Sequence, residues 1–244
     1  MPIYTPEFKT ILSNTFNFWG RHWLSIMVLS FIIVGPLFAV DYFFWGNDRL
    51  LQIFIDSLTL RGLVAFGYFM NIVLFLIFIF FWSALIRFID GNAGHENFPL
   101  SKALRAAYDN LGRMVGVCLK YGLQVVLWGI LFIFPGLYKA AVYSFSGMIA
   151  VLELEGDPLL KSQSLIRPRI KEFFKMIGRM VVFLVATFLP IIFLIDTLNT
   201  YAIEGFFPQV SVVIGYFVYL LVFFVYLFAT VLFYFLYRQW VRVP

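Results

Sequence analysis

Residues Leu63 to Ile86 read LVAFGYFMNIVLFLIFIFFWSALI, with no charged side chain and with Asn71 and Ser83 among the few polar ones. About 20 mostly apolar residues let a helix cross the ~30 Å hydrocarbon of a bilayer. In lipid each unpaired backbone group costs several kcal/mol, so open strands are excluded and a helix is required. Five more stretches of this kind lie at about Trp23–Phe44, Gly112–Phe134, Leu137–Leu154, Phe173–Ile195 and Ser211–Tyr237. The fourth is the shortest and most polar. Spans three and four meet at Phe134-Pro135-Gly136, a tight turn signal that predicts an antiparallel hairpin. The fold expected is all-α: a single polytopic domain over residues 1–244, with six transmembrane helices.

Composition agrees. Apolar residues make up 62% of the 244, against roughly 45–50% in a soluble domain, and charged residues 13% against about 25%. A soluble enzyme, a disordered chain, a collagen and a disulfide scaffold are thereby excluded. Cys118 is the single cysteine, so no intrachain disulfide forms. Residues 1–20 lack the basic region and short apolar core of a cleavable signal, so span one is expected to be retained.

The cations then orient the spans. Successive segments outside the spans carry 2, 2, 4, 1, 6, 0 and 2 Lys or Arg, which puts 14 on one face and 3 on the other, with Lys120 inside span three. The positive-inside rule places both termini in the cytoplasm, as an even number of spans requires. Trp19, Trp23, Trp45, Trp82 and Trp240 fall near span ends, where interfacial anchors belong.

Three segments look like amphipathic elbows leading into spans. Thr5-Pro6-Glu7 starts the first, which carries Ile11, Leu12, Phe16 and Trp19; Pro99 to Leu111 forms the second. The third begins at Asp157-Pro158, an N-cap with proline at the first helical position. Its cations Arg167, Lys171, Lys175 and Arg179 recur every four residues. They make an orienting loop or, in a sharper reading, a site for anionic lipid headgroups, each cation worth about 1 kcal/mol near the surface. Pro168 disfavours helical geometry at Arg167, so the elbow is expected there. Asn47-Asp48 is a further cap signal, ahead of Leu51, Phe54, Ile55 and Leu58.

Catalytic chemistry is poorly represented. His22 and His95 match no metal spacing, and there is neither a glycine-rich phosphate loop nor a nucleophile elbow. Asp90 and Glu96 flank a polar turn, which is the plain reading of that cluster. No enzyme activity, cofactor, metal or nucleic-acid partner is expected. Polar residues inside spans are better pointers, because they are costly there. They are Asn71, Lys120, Gln124, Lys139, Ser144 and Ser146, with Glu153 at the end of span four. Lys120 lies 15 residues before Pro135, and Ala150 lies 15 after it, with Glu153 one turn further on. A Lys120–Glu153 ion pair extended by Gln124 and Ser146 follows, against the alternative that Lys120 snorkels to the headgroups. Tyr216, Tyr219, Phe223, Tyr226, Thr230, Phe233 and Tyr237 form one face of span six, expected to meet other helices.

Four short patterns carry a family resemblance: Phe134-Pro135-Gly136-Leu137-Tyr138, Tyr143-Ser144-Phe145, Leu152-Glu153-Leu154-Glu155-Gly156 and Leu160-Lys161-Ser162-Gln163-Ser164, with Tyr237-Arg238-Gln239-Trp240 at the end. Together they resemble the YciC-like bacterial inner-membrane proteins and the membrane domain attached to some glycerophosphodiester phosphodiesterases. The resemblance implies a six-helix domain of the bacterial cytoplasmic membrane with no catalytic residue to carry over. Arg167-Pro168-Arg169 departs from that family's unbroken helix. Two functions are then in view: a transporter or transport accessory with a polar region around spans three and four, or a lipid-organising scaffold that binds anionic lipids, a partner membrane protein or its own copies.

Overall fold

A computed structural model describes residues 7–44, 59–93, 98–153, 155–204 and 208–241. Every regular element among them is helical: α1 (Phe8–Phe44), α2 (Leu60–Ala93), α3 (Leu100–Asp109), α4 (Leu111–Leu131), α5 (Ile133–Val142), α6 (Ser146–Leu152), α7 (Pro158–Ile166), a 3₁₀ turn (Arg167–Arg169), α8 (Ile170–Glu204) and α9 (Pro208–Val241). Among the described residues four stretches are long and apolar enough to cross a membrane: Val64–Ala93, Leu111–Leu131, Pro158–Ile195 and Leu220–Val241. The stretch in α4 is the least apolar of them. Helix α1 runs for 37 residues, about 55 Å. The cap signal at Asn47-Asp48, together with Trp45, His95 and Glu96, lies outside the described residues.

The chain divides into two compact units, His22–Cys118 and a second made of Met1–Arg21 with Leu119–Pro244. In the first, α2 and α3 pack together. Ala84, Leu85, Ile86, Phe88 and Ile89 of α2 are buried, as are Ala103 and Ala107 of α3. The turn between these helices is closed by Asn92. Its amide donates to the Phe88 and Phe98 carbonyls at 2.9 and 3.0 Å, and its oxygen accepts from the Phe98 N–H at 3.1 Å. Gly91 is needed beside it, because a Cβ there would run into the Phe98 ring.

In the second unit α8 and α9 lie along each other, and α5, α6 and α7 gather around their ends. The start of α1 joins the same core. Ile11, Phe18 and Trp19 are buried, with the Trp19 ring 4.5 Å from that of Phe224 and the Phe18 ring 6.2 Å from that of Phe235. The N-terminal stripe is therefore continuous with span one in a single helix, not set off from it.

Two expectations need correction. The stretch 137–154 is not one helix. It divides into the ten residues of α5 and the seven of α6, separated by a turn at Tyr143-Ser144-Phe145. Ten residues extend about 15 Å, half the hydrocarbon thickness. At the third elbow, the α-helical ladder is interrupted for one 3₁₀ turn at Arg167–Arg169, where Pro168 offers no N–H. Arg167 nevertheless keeps helical angles, φ −52 and ψ −44.

Candidate functional site

The break in span four is held by a serine. Ser162, on α7, donates its hydroxyl proton to the Val142 carbonyl at 2.7 Å and accepts the Phe145 N–H at 3.2 Å. A helix end leaves carbonyls without intrahelical donors, and a turn in an apolar core leaves N–H groups without acceptors. One buried hydroxyl meets both needs. The turn drives Phe145 into the core, where its ring lies 5.6 Å from Phe173, 5.2 Å from Phe233 and 5.3 Å from Tyr237.

Beyond α6 the chain reverses through Gly156, whose φ of +81 suits glycine. Asp157 caps α7 by accepting the Leu159 N–H at 2.9 Å. The reversal brings Lys161 back over Glu153, with its Nζ 2.9 Å from Glu153 Oε2. A Cβ at Gly156 would sit 3.0 Å from Lys161 Cε, so the missing side chain also leaves room for the lysine stem. Tyr237 of α9 donates its hydroxyl to the other Glu153 oxygen at 2.7 Å. Both carboxylate oxygens are engaged, which suits a clamp joining α6, α7 and α9. Close by, the Trp240 indole N–H donates to the Leu165 carbonyl at 3.0 Å, and the Arg169 guanidinium lies 5.9 Å from the Trp240 ring centre.

The predicted residues fall as follows. Glu153 is partnered by Lys161 and Tyr237 and not by Lys120, which is exposed on α4. Equal counting from Pro135 fails because span four bends at Tyr143-Ser144-Phe145. Gln124 is half-buried, and Ser146 is buried in the first turn of α6. Asn71 is exposed and satisfies itself, donating to the Gly67 carbonyl of its own helix at 2.8 Å. Arg167, Lys171, Lys175 and Arg179 are all exposed, while Phe173, Met176 and Met180 of the same helix are buried. The aromatic face of span six meets other helices at Phe233 and Tyr237; side chains at 216 and 219 lie outside the described residues. Sequence reasoning gave no bonding role to Ser162 or Asn92, and none beyond interfacial anchoring to Trp240. A polar side chain next to a predicted break or turn was the available signal for the first two.

Between α5, α8 and α9 lies a groove of about 510 Å³, walled by Phe134, Leu137, Phe173, Phe174, Ile177 and Phe233, with Ser144 its polar member. The α4–α5 turn lies next to Phe134. There Gly136 approaches Gly129 so closely that a Cβ on Gly136 would stand 2.7 Å from the Gly129 Cα. Lys139, one turn along α5, places its ammonium 3.1 Å from the Tyr143 hydroxyl and 5.8 Å from the Trp128 ring centre. Among the described residues no group of three or more His, Cys, Asp or Glu stands together as metal ligands.

No protein-family model, curated protein or solved structure matches this chain. The YciC-like resemblance therefore rests on its motif residues alone. Phe145, Glu153, Lys161, Ser162, Tyr237 and Trp240 form one connected cluster.

Proposed function

We propose that this chain is an integral membrane protein that binds anionic lipid at its cation-rich face, as a lipid-organising or scaffold protein, with no catalytic role of its own. The observation that carries this reading is the exposed series Arg167, Lys171, Lys175 and Arg179 at the start of the apolar stretch Pro158–Ile195. Cations so placed lie at headgroup depth, where anionic lipids concentrate. The transport reading needs polar groups converging on a path. Asn71 instead bonds its own backbone, Glu153 is taken up by Lys161 and Tyr237, Lys120 is exposed, and the groove is lined by apolar side chains. The membrane we assign is the bacterial cytoplasmic one, on the family resemblance.

The same reading revises the six-span topology. Crossing helices are α1, α2, α8 and α9, while α4 and α5 enter and leave by the cation-rich face as a re-entrant hairpin. Helix α5 is too short to cross, and Phe134 and Leu137, near the hairpin's tip, share the groove with Phe174 and Ile177, which alternate along α8 with Lys175 and Arg179. Lys120 and Lys139 then join the other cations, and the split becomes 16 to 2 with none left over. Four crossings still return both termini to one face, the cytoplasmic one.

The test is extraction into polymer-bounded nanodiscs directly from the membrane, followed by lipid analysis. Anionic phospholipid should be enriched over the bulk membrane around the wild type. The enrichment should fall at least twofold in the Arg167→Gln, Lys171→Gln, Lys175→Gln variant. Equal lipid composition around both proteins would overturn the reading.

A further inference from the structure

We propose that the groove between α5, α8 and α9 holds one acyl chain of an anionic phospholipid whose headgroup rests on Lys171 and Lys175. The proposal rests on the lipid-binding reading above and names the place and the ligand. Its volume of about 510 Å³ falls within the ~300–1,000 Å³ usual for small-molecule sites. Its walls are mostly aromatic and aliphatic, with Ser144 and Tyr138 the polar exceptions, so an apolar chain held there leaves contact with headgroups and water. Phe134 and Leu137 at its rim are strongly exposed, so a chain enters from the lipid without the helices parting.

Two further features define which lipid fits. Phe174, half of it exposed on the groove wall, stands three residues after Lys171, and Lys175 stands four after Lys171, so that one helical face carries wall and cations together. An apolar tail and a negative head joined in one molecule match that pairing. The second feature is Ser144, in the groove lining, whose hydroxyl is buried and has no partner among the described residues. A buried polar group without a hydrogen bond costs about 1–3 kcal/mol. The ester carbonyl between tail and headgroup is an acceptor of the right kind for it.

Native mass spectrometry of the detergent-purified protein with added long-chain phosphatidylglycerol or phosphatidylcholine tests the site. The wild type should retain one phosphatidylglycerol in preference to phosphatidylcholine, and free glycerol phosphate should not compete, since it lacks the tail. Ala140→Trp, which fills the groove and leaves both lysines in place, should weaken phosphatidylglycerol retention at least tenfold. Lys171→Gln with Lys175→Gln should remove the preference for phosphatidylglycerol and leave some lipid bound. Unchanged retention in Ala140→Trp overturns the groove as the site. If the double Gln variant still loses its preference, the basic segment's role survives that failure. An unchanged preference in the double Gln variant overturns the headgroup assignment and the wider reading with it. Competition by glycerol phosphate would assign the cations to a free anion and overturn the proposal. So would a wild-type dimer that Ala140→Trp dissociates without changing the lipid count, since the groove would then belong to a second copy. Should Ala140→Trp fail to fold, Leu137→Ala serves instead: the widened groove should shift the preferred chain toward greater bulk, and an unshifted preference overturns the proposal.

Discussion

Ser162 and Lys161 are neighbours with opposite stakes. Ser162 is wholly buried, and replacing it with alanine strands the Val142 carbonyl and the Phe145 N–H in an apolar core. Leaving buried groups unpaired costs about 1–3 kcal/mol, whereas an exposed ion pair contributes about 0–1 kcal/mol. The Lys161 and Glu153 side chains are 42% and 33% exposed, so their bridge is of the second kind. Ser162→Ala should therefore lower the melting temperature in detergent clearly more than Lys161→Met. Equal shifts would show that the clamp, and not the serine, holds the turn. Lys120→Met should leave the melting temperature unchanged, because Lys120 is exposed and Glu153 has other partners. The sequence pointed correctly to Glu153 as a polar residue in need of a partner. It misassigned the partner because residue counting assumes a straight helix, and the identity of a partner depends on where the chain bends.

Among the elements, the α4–α5 turn is the tightest constraint. Gly136 has the Gly129 backbone in the place of its Cβ, whereas Gly122 in the same hairpin has nothing within 4 Å. Backbone atoms do not yield as a flexible side chain does, so Gly136→Ala should destabilise the protein by roughly 1–3 kcal/mol, as overpacking commonly does. Gly122→Ala should be neutral or stabilising by up to about 1 kcal/mol, through helix propensity alone. Thermal melts of the two variants side by side check the contrast. Helix existence was legible from hydropathy because 20 apolar residues leave lipid-exposed backbone no alternative to a helix. A reversal near Pro135-Gly136 was legible from those residue types, but the helix break falls earlier, at the extended Phe132, and Pro135 and Gly136 lie in the first turn of α5. The break at Tyr143-Ser144-Phe145 was not, since none of the three is a helix breaker. It exists because Ser162, 17 residues further along, satisfies the broken ladder, and because Phe145 gains a cluster of rings. Both causes are tertiary.

For the molecule as a whole the question is which helices cross. Hydropathy ranks α4 as a span, whereas α5 alone extends about 15 Å before the break, so the proposed topology takes the two as entering and leaving by one face. If α4 crossed alone, its far end would have to return through 15 Å of helix and a seven-residue piece that turns toward α7. It would also strand Lys139 on the cation-poor face. A hairpin that dips in and returns keeps Lys120 and Lys139 on the cation-rich side, as the proposed topology requires. Cysteine accessibility distinguishes these topologies in a Cys118→Ser background. A membrane-impermeant maleimide should label Lys120→Cys, Lys139→Cys and Arg238→Cys from the same side of the membrane. Ile133→Cys, at the exposed hairpin tip, should stay unlabelled from the opposite side, because lipid covers it there. Labelling of Ile133→Cys from that opposite side would mean that α4 crosses, and would restore the six-span topology with the break in its fourth member.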